Sequence, residues 1–229
     1  MGPSNIYSSP IEALDATDDF YRAQQGFGYD LDKVVNWLKR YVSIPKKGRI
    51  LDLCCGDGVW SKGFQEINPR LELHGIDISE GGIEKAHSIM GRAAKNFVVG
   101  DAEADLPYTE NYFDLIFARG PGLFNQHDMS HPEAVWVLEM WHRYLNGDGR
   151  FYAIFASTPK LMGTYTSMDN VVLPYNRAPR NTGAVKFSGG KYHHNIESFH
   201  APFWKAGNVE IMSYSFVGNL HILVSRRLD

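Results

Sequence analysis

The stretch that decides the fold is Arg49-Ile50-Leu51-Asp52-Leu53-Cys54-Cys55-Gly56-Asp57-Gly58-Val59-Trp60-Ser61. An apolar run ends in a glycine-bearing turn, and a new apolar periodicity starts directly after it. The pattern reads as strand, loop and helix, with the loop at the carboxyl end of a buried strand, where open α/β sheets collect ligands. Gly56 and Gly58 let the backbone approach a ligand that a Cβ would hold off. Asp52 lies inside the apolar strand. A carboxylate is costly there unless it accepts hydrogen bonds from the following turn or meets a cationic ligand.

Working outward, Leu73-His74-Gly75-Ile76-Asp77 reads as a second strand ending in an acid. Asp77 follows Gly58 by about 19 positions, close to the spacing at which a βαβ unit offers a carboxylate to a ribose. A third strand, Phe97-Val98-Val99, leads into Gly100-Asp101-Ala102-Glu103 and then Leu106-Pro107. A fourth is Tyr112-Phe113-Asp114-Leu115-Ile116-Phe117-Ala118. Taken in order over residues 45–157, these segments resemble the class I S-adenosylmethionine-dependent methyltransferases. That resemblance implies an α/β, Rossmann-like three-layer sandwich. Its sheet would be mostly parallel and seven-stranded, in the order 3-2-1-4-5-7-6, with a C-terminal antiparallel hairpin. Cys54 stands where the family commonly has its first loop glycine, and Cys54-Cys55-Gly56 resembles the quinone-biosynthesis branch. A single cysteine defines no substrate.

The resemblance also assigns roles. Asp77 accepts the ribose hydroxyls, Asp101 the adenine amino group, and the Ala102 amide donates to a ring nitrogen. Ile78 offers adenine an apolar face, and the backbone from Cys54 through Gly56 to Gly58 lies along the methionine and ribose portion. Asp52 organises the loop, and Ala118 or Arg119, at the end of the fourth strand, faces the reacting end. Tyr21 and Arg22 belong to an aromatic, polar N-terminal stretch that reads equally as a lid over the cofactor or as a packed arm.

The 229 residues suit one α/β domain, expected to divide into an N-terminal helical arm or lid (1–44), a cofactor-binding core (45–157), an acceptor-side loop (158–192) and a C-terminal helix and hairpin (193–229). Apolar content of 44% and charged content of 21% are ordinary for a globular chain. A net charge of -3 gives no basic field of the kind that draws nucleic acid. The only cysteines, Cys54 and Cys55, are adjacent, a poor geometry for a disulfide, so nothing argues for secretion. With no apolar run of membrane-spanning length, a cytoplasmic protein is expected.

Between these landmarks, Asp30 caps a helix with Leu31, Val34, Val35, Leu38 and Val42 on one face. Ser79 opens another, with Ile83, Ala86, Ile89 and Met90, whose first turn is weakened by Gly81 and Gly82. The two glycines read either as room for a ligand or as a poor helix start. Ser130-His131-Pro132-Glu133 matches a capping box before a helix that closes at Asn146-Gly147. Strand five is Arg150 to Phe155. Residues 157–192 show no long element, and a hairpin of Val209 to Phe216 with Leu220 to Val224 follows.

Methyl transfer is an in-line displacement in which protein contributes mainly orientation. His127 is the candidate general base, with a solvated loop histidine as the alternative. Tyr165, Tyr175 and Tyr192 read either as acceptor-pocket walls or as packing. Arg177, Arg180, Lys186 and Lys191 fall in a stretch without Asp or Glu. Such a loop would attract an anionic small-molecule acceptor, although a solvated charged loop has the same composition. The histidines at 193, 194 and 200 lack acids or cysteines at ligand spacing, so no metal is expected.

Three rivals stand beside this reading. A nicotinamide (NAD(P)) oxidoreductase is suggested by Gly56 to Ser61, which nearly copies G-x-G-x-x-G/A, although Asp52 and the Gly100-Asp101 turn serve no pyrophosphate. A non-catalytic binder of S-adenosylmethionine would keep the same loops. A nucleic-acid methyltransferase is disfavoured. The segment after strand four, Arg119-Gly120-Pro121-Gly122, lacks the run of amino-methylating enzymes, and no Pro-Cys nucleophile exists.

Overall fold

The computed structural model describes residues 18–121, 123, 132–156, 171–172, 184–186, 192–194, 196–217 and 220–228. Ten strands are assigned among them: β1 (Gly48–Leu53), β2 (Leu71–Asp77), β3 (Phe97–Val99), β4 (Phe113–Arg119), β5 (Leu145–Ala156), β6 (Val171–Val172), β7 (Ala184–Lys186), β8 (Tyr192–His194), β9 (Val209–Val217) and β10 (Leu220–Arg227). The helices are α1 (Leu31–Tyr41), α2 (Val59–Ile67), α3 (Glu80–Met90), α4 (Pro132–Arg143) and α5 (Ile196–Lys205), and residues 18–23 are also helical.

Eight strands form one sheet in the order β3-β2-β1-β4-β5-β10-β9-β6. With β9 and β10 counted as sixth and seventh, the order is 3-2-1-4-5-7-6, as the resemblance implied. The two-residue β6 adds an eighth strand at the β9 edge, antiparallel to it. β1, β2 and β3 run parallel, while β10 is antiparallel to both β5 and β9. The apolar run in β1 is buried from Ile50 to Leu53, as expected of a strand covered on both faces.

Two compact units can be described. The first comprises the described residues up to Leu106 together with Phe113–Ile116. Here Asp30 caps α1 by accepting a hydrogen bond from the Lys33 amide at 3.1 Å, and Val34 and Leu38 are buried, as the periodicity predicts. Gly63 of α2 packs against Val34 and Leu38, whose side-chain carbons would stand 2.8 Å from an added Cβ. Glycine is what permits that close helix approach. Gly75 of β2 is constrained in the same way by the Phe97 ring and the Cys55 sulfur.

The second unit comprises Pro107–Tyr112 and the described residues from Phe117 onward. Hydrogen bonds from Tyr112 N–H to the Tyr144 carbonyl and from Gly120 N–H to the Ile154 carbonyl show β4 and β5 advancing in the same direction. Trp141 of α4 is fully buried and stacks on Phe151 of β5, ring centroids 5.6 Å apart. Beside it, burial pushes the buried His142 down to about 4, so the ring is neutral. Its Nδ1 therefore donates to the Leu138 carbonyl at 2.6 Å, and its Nε2 accepts from the Ser225 hydroxyl at 2.8 Å.

Two boundaries differ from the sequence reading. β5 begins at Leu145, so Asn146-Gly147, read as a helix stop, lies inside the strand. The Asn146 side chain accepts from the Asp148 amide at 3.1 Å, a local turn hydrogen bond compatible with that placement. β10 runs on to Arg227, past a register shift between Val224 and Ser225. Residues 130–131 of the proposed capping box lie outside the described residues.

Truncating Trp141 leaves a cavity against Phe151. Trp141→Ala is expected to lower unfolding stability by about 3–5 kcal/mol in urea titrations, whereas a loss below about 1 kcal/mol would contradict this packing.

Candidate functional site

Within the first unit, the turn after β1, the end of β2, the start of α3 and residues 18–29 converge. Asp77 ends β2 and holds the convergence together. Its Oδ2 accepts from the Gly56 amide and its Oδ1 from the Ser79 amide, both at 2.8 Å. Ser79 caps α3 by accepting from the Gly82 amide at 3.0 Å. Asp57 accepts from the Val59 amide at 3.1 Å and from the Gly28 amide at 2.6 Å, tying the N-terminal segment to the loop. Asp52, 2% exposed at the end of β1, accepts from the Ser61 hydroxyl at 2.7 Å.

Burial raises all three acids from their ordinary value, and neighbouring carboxylates add to the rise at Asp52 and Asp77. Asp52 is pushed up to about 7, chiefly by burial and partly offset by the Ser61 hydrogen bond. Burial, reinforced by Asp77 and Asp57, holds the Tyr21 phenol well above its usual value. The Cys55 thiol is raised as well, so it is an inert, buried sulfhydryl rather than a nucleophile.

Each glycine has its own cause. Gly56 (φ 51°) lies under Tyr21, whose hydroxyl occupies the space a Cβ would need. Gly58 (φ 75°) is the residue before α2, and a Cβ there would meet Met90, Ala86 and Phe97. Protein packing by itself therefore demands glycine at position 58. Gly81 and Gly82 receive an explanation the sequence did not suggest. A Cβ on Gly81 would collide with the Asp18 backbone, and one on Gly82 would press on Gly56 at 3.2 Å. Asp18 reinforces the junction by accepting from the Ser79 hydroxyl and from the Gly81 amide at 3.2 Å.

Cys54 adopts φ 58°, the left-handed backbone that glycine takes without penalty. The departure from the common family residue thus falls at a position whose conformation favours glycine. Ile78 is 55% exposed and Val99 is 53% exposed at the tips of β2 and β3. Asp101 is exposed, with its Oδ1 accepting from the Glu103 amide at 2.8 Å, and Ala102 is buried. Arg22 directs its guanidinium to Glu84 at 2.9 Å and Glu80 at 3.7 Å on α3. Arg119 ends β4 in the second unit, half-buried. His127, Tyr165, Tyr175, Arg177 and Arg180 lie outside the described residues, and only the backbone of Tyr192, in β8, is described. Sequence reasoning missed Asp18 and undervalued Asp57, because neither lies in a spacing pattern that announces its long-range partner.

This strand order is the one found in the class I S-adenosylmethionine-dependent methyltransferases. More particularly, residues 50–149 match the methyltransferase domain family. It is 36% identical over 116 residues to a demethylmenaquinone methyltransferase of Lactococcus lactis, covering 49% of this chain and 43% of that one. A demethylmenaquinone methyltransferase of Geobacillus kaustophilus is 30% identical over 130 residues, covering 55% and 53%. The chain spans about half the length of these curated relatives. Among solved structures, the PH0226 protein of Pyrococcus horikoshii superimposes with a TM-score of 0.62 at 21% identity, covering 91% of this chain and 98% of that one. An S-adenosylmethionine-dependent methyltransferase of Mesorhizobium loti gives 0.62 at 18% identity, covering 86% and 100%.

S-adenosyl-L-methionine is the methyl donor of this class, and the first unit suits it chemically. Buried carboxylates offer acceptors to a ligand with ammonium, sulfonium and hydroxyl groups, and the exposed apolar tips Ile78 and Val99 offer a face to a purine.

The backbone at Cys54 carries a measurable consequence. Cys54→Gly is expected to leave unfolding stability within about 1 kcal/mol of wild type, on the stabilising side, because relief of left-handed strain slightly exceeds the glycine's added chain entropy. Cys54→Val should be clearly destabilised in the same denaturant titrations. The reverse ranking would contradict the conformation.

Proposed function

We propose that this chain is a methyltransferase that moves the methyl group of S-adenosylmethionine to a small-molecule acceptor by in-line displacement. The observation that carries the reading is the Asp77 carboxylate, held across the turn by the Gly56 and Ser79 amides at the tip of β2. Each of its oxygens retains a lone pair, so it can take the ribose hydroxyls while its direction stays fixed. In this reading Ile78 covers adenine, Asp101 and the Ala102 amide meet its polar edge, and the loop from Cys54 to Gly58 lies along the amino-acid arm. Tyr21 closes over Gly56 from the N-terminal segment, which supports residues 1–44 acting as an arm or lid. Arg22 stiffens that segment through α3, and Asp52 organises the loop through the hydrogen bond it accepts from Ser61.

When bound, the donor supplies the transferable methyl and its own leaving group, so the protein's part is alignment and exclusion of water. Arg119 is assigned to the reacting end and His127 to proton removal from acceptors that need it. Tyr165, Tyr175, Arg177, Arg180 and Tyr192 are assigned to an acceptor-side segment at 158–192. The named activity of the Lactococcus and Geobacillus relatives supports placing quinone precursors first among acceptors. A cytoplasmic setting and no nucleic-acid partner complete the proposal. No helix among the described residues is long and apolar enough to cross a membrane.

A labelled-methyl transfer screen over quinone precursors, phenols, small acids and amines tests the activity. Turnover of at least one acceptor is expected, and Arg177→Ala with Arg180→Ala should raise KM for an anionic one. Unchanged KM removes the anionic assignment. Binding of S-adenosylhomocysteine with no turnover would favour a non-catalytic binder, and binding of NAD in its place would favour an oxidoreductase.

A further inference from the structure

From Lys33 to Leu51 the chain carries Lys33, Lys39, Arg40, Lys46, Lys47 and Arg49 and no Asp or Glu. The whole protein is net -3, so this run departs locally from the sign of its charge. Lys33, Lys39, Arg40, Lys46 and Lys47 are exposed, and none forms an ion pair with another described residue. Of the acids on the two helices concerned, Asp30 and Asp32 stand at the start of α1, and Glu66 of α2 holds Lys62 at 2.6 Å.

Aromatic side chains run through this basic stretch. Lys33, Trp37, Arg40 and Tyr41 recur at helical spacing on α1, beside the face that buries Val34 and Leu38. The Trp37 and Tyr41 ring centroids are 5.1 Å apart, and the Arg40 guanidinium lies 5.3 Å from the Tyr41 centroid. Trp37 meets Trp60 of α2 edge-on at 5.3 Å, and Trp60 meets Tyr29 at 6.2 Å. Tyr29 is 51% exposed, and Trp37 and Tyr41 are half-buried. At the other end, the Asn68 side chain, at the C-cap of α2, donates to the Pro45 and Lys46 carbonyls, each at 3.1 Å. That tie holds Lys46 and Lys47 beside the same helix pair. A continuous strip results within the first unit, linked rings with exposed cations around them.

We propose that this strip is a docking surface for an anionic lipid bilayer, on which the protein lies peripherally. Charge of one sign complements a leaflet of phosphate headgroups, where each Lys or Arg adds about fivefold to partitioning. Trp and Tyr suit the headgroup boundary, because each joins an apolar ring to a polar atom. Four of the five exposed cations are lysines, compact charges on flexible stems that match a diffuse headgroup layer better than the bidentate pairing of a carboxylate. Single-stranded nucleic acid fits less well. It needs open ring faces for its bases, whereas these rings pack on one another tilted or edge-on. No helix among the described residues is long and apolar enough to cross a membrane, so the contact is one of surface.

The test is co-sedimentation of the full chain with vesicles of phosphatidylcholine, alone and with phosphatidylglycerol added, beside binding of a fluorescent oligo-dT strand at the same salt. Association is expected with the vesicles that contain phosphatidylglycerol, not with phosphatidylcholine alone, and it should fall steeply as salt is raised. Lys39→Ala with Arg40→Ala, and Lys46→Ala with Lys47→Ala, should each weaken it about tenfold or more. Both pairs should keep the wild-type affinity for S-adenosylhomocysteine, which shows that they remain folded. Arg92→Ala with Lys95→Ala removes two exposed cations just before β3 and should leave vesicle binding nearly unchanged. No association with anionic vesicles at low salt overturns the proposal, as does equal association with both kinds. A loss from the Arg92 and Lys95 pair as large as from the other two overturns its location. Tighter binding of oligo-dT than of anionic vesicles also overturns it and assigns the strip to nucleic acid.

Discussion

One carboxylate joins the elements that make this site. Asp77 accepts the Gly56 amide with one oxygen and the Ser79 amide with the other. It thereby fixes the turn after β1 against the start of α3. The close approach that follows is what demands glycine at position 82, where an added Cβ would press on Gly56. The same constraint brings Asp18 to the α3 cap and Tyr21 over the turn, so the N-terminal segment and the loop share one set of contacts. Acids placed by backbone amides keep their direction without a counter-ion, which suits a site whose ligand brings the positive charge.

That economy has an electrostatic consequence. Taking Asp52, Asp57 and Asp77 out of water raises all three, and the hydrogen bonds each accepts offset part of that rise. The loop is a weaker acid than its sequence of aspartates suggests.

Much of this was legible in the sequence. Buried parallel strands read as short apolar runs, and acids that interrupt or end such runs are conspicuous, so Asp52 and Asp77 could be read before the fold was seen, while the strand order followed from the family resemblance. Helix caps at Asp30 and Ser79 were equally plain, being local. What escaped was long-range. Gly81 is a glycine because of Asp18, and Gly58 because of Met90, Ala86 and Phe97, contacts that no local spacing encodes. Asn146-Gly147 misled because turn chemistry was satisfied inside a strand, by a side chain accepting from the Asp148 amide. Cys54 was noticed as a substitution, yet only its φ of 58° shows why glycine is the usual occupant.

The central claim is that the acid at the tip of β2 both sets the loop and receives the ribose. The most direct measurement is the dissociation constant of S-adenosylhomocysteine for wild type and for Asp77→Asn, with folding checked by circular dichroism. Loss of two charge-assisted hydrogen bonds predicts weakening of roughly 100-fold or more in a folded variant. A folded Asp77→Asn protein with undiminished affinity would contradict the account.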